Sequence, residues 1–214
     1  MTSLAIITSR WESSRLPGKA LKLIGNTEVL MHVYKRVAAS GVDDVVVATT
    51  PSSQPIIDFC ILHNILYYVG DEEDILDRIF NTSQLFKAST IVRVWGDQPF
   101  IDPGIISKAL RLFTTCKTQY VYTADYPKGM HCAVVGFDDL NNVHHGLRSK
   151  NDRHWIHLWM KDNLKSIPCQ APFDWSEYNF GLDTEEDLVE LNRLYKMMEG
   201  ERFGVEDLIG AVTG

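Results

Sequence analysis

The chain predicts an α/β protein built on a mostly parallel, mixed sheet. Short β-branched apolar runs alternate with segments of helical spacing, and helix-start signals fall between those runs. Its 214 residues, 45% of them hydrophobic, suit one sizeable domain rather than two.

Six runs read as strands: "LAIIT" (4–8), "DVVVATT" (44–50), "ILYYV" (65–69), "STIVRVW" (89–95), "QYVYTA" (119–124) and "YNFGL" (178–182). "CAVVGF" reads as a further strand. Between them, Asn26 or Thr27 precedes a helix with Val29, Leu30, Val33 and Val37 on one face, stopped by Gly41. "SSQP" (52–55) sets Pro55 in a first turn, and "DP" (102–103) sets Asp102 as a cap with Pro103 at the first helical position. "TEED" (184–187) matches a capping box before Leu188, Leu191, Leu194 and Tyr195. Residues 149–162 read as helix, 164–177 as a trimmed connection, and "GVEDLIGAV" in the tail 200–214 as a last packed helix.

With 28 acidic and 21 basic residues the net charge is -7, which gives no affinity for nucleic acid or other polyanions. One local exception stands out. Residues 10–22 carry Arg10, Arg15, Lys19 and Lys22 against Glu12, a balance of +3 that suits a small anionic ligand or a solvated face. Cys60, Cys116, Cys132 and Cys169 form no CxxC and pair with no His at zinc spacing, so they read as reduced thiols of a cytoplasmic protein. The apolar run Leu4 to Ile7 is too short for a signal segment or a membrane span.

The basic cluster centres on "SSRLPGK" (13–19), directly behind the first strand. It is not a Walker loop: the first Gly is missing, and Ala20 follows Lys19 where Ser or Thr is needed. GxGxxG is also absent. What remains is Arg10 and Arg15 around a Ser-rich turn, with Lys19 after Gly18, a set that can wrap a triphosphate or form a plain surface turn. Asp97 and Asp183 each follow a strand candidate. Two carboxylates at strand ends suit magnesium on phosphate oxygens, although Asp183 can equally start a helix. The late histidines, His131, His144, His145, His154 and His157, have no acidic partner at zincin spacing.

"ITSRWESSRLPGKALKLIG" resembles the N-terminal signature of sugar-acid cytidylyltransferases, the spore-coat polysaccharide (SpsF-like), 3-deoxy-manno-octulosonate (KDO) and acylneuraminate branches, with Ser9 for the usual Ala and Asn26 for the second Gly. "VVVATT" (45–50), "GDEEDILDRIF" (70–80), "VRVWGDQPFID" (92–102) and "LDTEEDL" (182–188) continue the resemblance in the family's order.

The resemblance implies a Rossmann-like three-layer sandwich of the nucleotide-diphospho-sugar transferase type. It implies one nucleotidyltransferase domain over 1–214, with 125–177 an acceptor-binding or dimerisation insertion. The implied reaction transfers CMP from CTP to a sugar acid with release of pyrophosphate, for surface polysaccharide synthesis, with Mg²⁺ and in a homodimer. Ser9, Arg10, Ser14, Arg15, Lys19, Thr49, Arg78, Gly96 and Asp97 then surround the nucleotide, Asp97 and Asp183 hold the metal, and Arg10, Lys19 and Asp97 carry catalysis. Gln98, Tyr126 and His131 are expected at the acceptor. Arg153 or His154 is expected there too, unless "NDRHWIHLW" (151–159) packs on a partner subunit. Lys128 and His131 depart from the family's usual turn. Use of UTP or GTP, and a silent nucleotide-binding homologue, stay open as alternatives.

Overall fold

The computed structural model describes residues 2–198 and 202–214; Met1 and residues 199–201, with the start of the predicted tail, lie outside the described residues. The strands are β1 (Ser3–Thr8), β2 (Leu23–Ile24), β3 (Thr27–Glu28), β4 (Asp44–Thr49), β5 (Tyr67–Val69), β6 (Thr90–Trp95), β7 (Tyr120–Ala124), β8 (Cys132–Gly136) and β9 (Ser166–Gln170). The helices are α1 (Val29–Ala38), α2 (Gln54–Leu62), α3 (Ile75–Leu85), α4 (Pro103–Cys116), α5 (Phe137–Gly146), α6 (Lys150–His154), α7 (Ile156–Asn163), α8 (Glu185–Met197) and α9 (Val205–Thr213). No helix among the described residues is long and apolar enough to cross a membrane.

Seven strands form one sheet in the order β5-β4-β1-β6-β8-β7-β9, while β2 and β3 form a separate hairpin. β8 runs antiparallel to both its neighbours and every other pairing in the large sheet is parallel, so the predicted mixed, mostly parallel sheet is present. Side chains alternate between two cores. Ala5, Ile7, Val45, Val47, Val92 and Val94 face the layer of α1, α2, α4, α8 and α9; Leu4, Ile6, Val46, Ala48 and Ile91 face α3, α5 and α7. Burial on both faces explains why these strands read as unbroken apolar runs. From β1 the chain first builds outward through β4 and β5, then crosses back to place β6 on the other side of β1. Open α/β sheets bind ligands at the carboxyl ends of strands beside such a reversal.

Local signals act largely as expected. Asp102 accepts from the Gly104 amide at 2.7 Å, with Pro103 opening α4. Thr184 and Asp187 close a capping box, Asp187 N donating to Thr184 Oγ1 at 3.2 Å and Thr184 N to Asp187 Oδ2 at 2.9 Å. Gly41, at φ 84°, follows α1. The predicted cap at Asn26 or Thr27 is displaced to Glu28, because Leu23 to Glu28 close the β2–β3 hairpin about Gly25.

Three expectations are corrected. Residues 178–182 are not a strand but an extended loop with one parallel bridge, Asn179 to Lys128, since the loop crosses the carboxyl ends of the strands instead of joining an edge. The edge beside β7 is taken by β9, from the segment read as a trimmed connection. Pro168 within it is tolerated because the strand has a partner on one side only. The helix over 149–162 is broken at Trp155 into α6 and α7.

Candidate active site

The loop after β1 is shaped by its apolar members. Leu16 and Ala20 are buried, and Trp11 lies under Gly18, where an added Cβ would meet the indole at 2.7 Å. Gly18 also has φ 68°, so its backbone and its surroundings both exclude a side chain. Gly18 N donates to Trp11 O at 3.1 Å, which fixes the turn that delivers Lys19.

Lys19 Nζ donates to Asp97 Oδ2 at 2.6 Å, to Asp183 Oδ1 at 2.9 Å and to Leu182 O at 2.9 Å. One ammonium therefore joins the loop after β1, the end of β6 and the loop before α8. Asp97 reaches it because Gly96 N donates to Thr8 O at 2.9 Å and has Ser9 where a Cβ would stand, 2.7 Å from the Ser9 Cβ. Asp183 is also approached by Arg15 at 2.9 Å and by Lys128 at 2.7 Å. Burial raises the pKa of its carboxyl, but hydrogen bonds from Lys128 and Lys19 and the charges of both outweigh that and hold it down to about 2. Asp183 is thus a carboxylate at any physiological pH.

Two cavities meet at these carboxylates. A cleft of about 380 Å³ is lined by Ser9, Arg10, Ser14, Arg15, Lys19 and Arg78, with Gly96 at its floor. A second cavity of about 500 Å³ is lined by Gln98, Tyr122, Lys128, His131 and Lys161. Trp95, Asp97, His157 and Asp183 line both. Among the described residues no group of three or more His, Cys, Asp or Glu side chains could hold a metal ion. Any cation there would draw its remaining ligands from phosphate and water.

Arg78 is buried at the cleft wall, its Nε donating to Asp71 O at 3.0 Å and its Nη2 to Glu72 O at 3.1 Å, so it also holds the 71–72 turn. Thr49 is fully buried, its hydroxyl has no partner, and it lines neither cavity. Gln98 is tied to the His131 backbone, donating to its carbonyl at 2.8 Å and accepting from its amide at 2.6 Å. His131 Nδ1 lies 3.2 Å from Thr123 Oγ1, and burial lowers its pKa. Tyr126 is a core residue and lines neither cavity. Arg153 is held by Asp74 at 2.5 Å and by the carbonyls of His144 and Leu147, and it also lines neither cavity. His154 lines the first cleft rather than the second.

Sequence reasoning passed over Arg93, Trp95, Lys128 and His157 as site residues. Arg93 had a usable signal, a charge in the middle of "TIVRVW", where both neighbours are core valines. Burial draws its pKa down to about 10, so it remains charged at neutral pH. His157 is pushed down to about 4, first by burial and then by Arg93, His131 and His154, and is neutral.

The cytidylyltransferase family model matches residues 4–155. The spore coat polysaccharide biosynthesis protein SpsF of Bacillus subtilis is 28% identical over 213 residues, covering 93% of this chain and 88% of that protein. A 3-deoxy-manno-octulosonate cytidylyltransferase of Mesorhizobium japonicum is 39% identical over 119 residues, 53% of this chain and 48% of that one. In fold, the chain superposes on a cytidylyltransferase from Leptospira borgpetersenii with a TM-score of 0.93 at 24% identity, over 99% of this chain and 94% of that one. With the family model spanning β1 through α6 and both the loop after β1 and Asp97 inside the matched region, the chain belongs to the cytidylyltransferase family.

Proposed function

We propose that the chain transfers CMP from CTP to a hydroxyl of a sugar acid of KDO, neuraminate or related type, releasing pyrophosphate, in surface polysaccharide synthesis. The observation that carries this reading is the bridge from Lys19 to Asp97 and Asp183, set at the wall shared by two cavities. A transfer between two substrates needs its charged groups at such a wall.

In this reading the triphosphate occupies the first cleft, where Arg10, Arg15 and Lys19 bind it and stabilise the pyrophosphate as it leaves. The acceptor occupies the second cavity and attacks the α-phosphorus in line. The new bond joins the acceptor oxygen to phosphorus, the bond to the bridging oxygen breaks with its electron pair kept by pyrophosphate, and the hydroxyl proton passes to water. Positioning does much of the work, through the ties that fix Asp97 and Asp183. Asp97 and Asp183 supply the hard oxygens that magnesium prefers, and they would hold it with phosphate and water completing its shell. When bound, the ion lowers the pKa of the acceptor hydroxyl and screens phosphate charge. Lys19 and Lys128 keep both carboxylates oriented before substrate arrives. A homodimer in the cytoplasm is part of the proposal, supported by Trp155 and Leu158, which stand half-exposed on the α6–α7 segment.

The test is pyrophosphate release with magnesium and CTP, UTP, GTP or ATP, each against KDO and N-acetylneuraminate. Release that requires CTP, magnesium and an acid supports the reading. Release with UTP or GTP moves the donor, and no nucleotide binding by calorimetry leaves the chain a silent homologue.

A further inference from the structure

β6 is buried on both faces, yet it carries Arg93, only 6% exposed. Its guanidinium lies over the Trp95 ring, 4.4 Å from the centroid. Its Nε and Nη1 have neither solvent nor a hydrogen-bond acceptor. A cation withdrawn from water without an acceptor is unfavourable unless something else completes it. His157 stands edge-on to the same indole at 5.4 Å, and its Nδ1 is also buried without a partner. Arg93, Trp95 and His157 line the first cleft, and Trp95 and His157 line the second cavity as well. Bordered by Arg93, Tyr120 and His157, and otherwise by apolar core side chains, is a void of about 20 Å³. It has room for one oxygen-sized group, and not for a phosphoryl group with its ester substituents.

We propose that Arg93, with His157 beside it and Trp95 behind it, is a carboxylate subsite that fixes the acceptor at the junction of the two cavities. The proposal rests on the transferase reading in taking the acceptor for an acid. In that reading the triphosphate is served by Arg10, Arg15 and Lys19; Arg93 lines the same first cleft, but its guanidinium lies against Trp95, which with His157 also lines the second cavity. One carboxylate oxygen enters the void and accepts from the guanidinium, and the sugar extends into the second cavity. Arg93 is a binding residue, so its loss acts on the acceptor KM more than on kcat.

The experiment compares wild type, Arg93→Met and Arg93→Lys with KDO, N-acetylneuraminate and the methyl ester of each, together with CTP affinity by calorimetry. Arg93→Met should raise KM for the acids roughly 10- to 100-fold, the worth of a lost charge-assisted contact. The esters and the CTP Kd should stay within about twofold, and Arg93→Lys should recover part of the loss. A titration without CTP, followed by indole fluorescence, should saturate with acid but not ester in wild type and be lost in Arg93→Met. That arm reads the subsite even if no pyrophosphate is released, so failure of the transferase reading and failure of the subsite give different results. Weakened CTP binding with an unchanged acid KM overturns the proposal, because Arg93 then serves the nucleotide. Equal responses to acid and ester, no saturable response to either acid, or lowered stability alone also overturn it, because Arg93 is then a structural cation satisfied by water.

Discussion

Lys19 Nζ lies 2.6 Å from Asp97 Oδ2, joining a loop behind the first strand to a carboxylate 78 residues later. The pair sits where the two cavities meet, so both members are expected to act on the transferred group. Lys19→Met and Asp97→Asn should each lower kcat/KM by roughly 10³-fold or more, several kcal/mol of transition-state stabilisation. Steady-state pyrophosphate release measures this. Either variant within tenfold of wild type removes that residue from the reaction.

Asp183 makes a distinct prediction for acid stability. Its carboxyl ionises at about 2 in the folded chain against an ordinary 3.8, so the folded state binds protons less readily than the unfolded one. The stabilisation is fully present above pH 4 and is lost as pH falls through about 2, amounting to roughly 2 kcal/mol. Urea melts between pH 2 and pH 6 should show a steeper acid loss in wild type than in Asp183→Asn. Parallel curves would mean that the surrounding cations do not hold the carboxylate in solution.

Gly129 packs backbone to backbone against the loop before α8. It has φ 88°, and a Cβ there would stand 2.3 Å from Gly181 N and 2.4 Å from the Phe180 carbonyl carbon. The neighbouring Lys128 accepts from Phe180 N at 2.7 Å and donates to Tyr178 O at 3.0 Å. Gly129→Ala should therefore push the two loops apart, costing about 2–4 kcal/mol in a denaturant melt and lowering turnover with it. Wild-type stability and turnover would show that the loops yield easily and do not set the Lys128–Asp183 distance.

Much of this architecture is legible in the sequence for one reason, that the central strands are buried on both faces and must be apolar throughout. β1, β4 and β6 announce themselves in that way, as does α8 through its capping box. The loop 178–182 misled because "YNFGL" has strand-like composition, while its place is set by Gly129 and Gly181 packing together, a tertiary fact with no local trace. β9 was hidden by Pro168, which local rules count against a strand and an edge position permits. In the site, Asp97 follows from its place after β6 and Lys19 from the motif, whereas Asp183, expected at a strand end, stands in the loop before α8 and is found through the run "LDTEEDL". Tyr126 and Arg153, expected at the acceptor, line neither cavity, since their side chains are taken up by Gln170 and by Asp74, partners far away in sequence.

Lys128 offers the sharpest test of whether Asp183 holds a cation. Its ammonium is 2.7 Å from Asp183 Oδ2, while Lys19 and Arg15 contact Oδ1, so both oxygens are engaged by positive charge. A divalent ion binding there must displace or oppose that charge, and at such separations an effective dielectric near 20 makes the opposition worth up to about 4 kcal/mol before screening. Lys128 is half-exposed, so solvent reduces this considerably. Lys128→Met should tighten Mn²⁺ binding by roughly tenfold, read from the spin resonance of free Mn²⁺ in a titration with CTP present. Asp183→Asn should weaken it in the same titration. If Lys128→Met leaves the Mn²⁺ affinity unchanged while Asp97→Asn abolishes it, Asp183 is a lysine anchor and Asp97 alone contacts the ion.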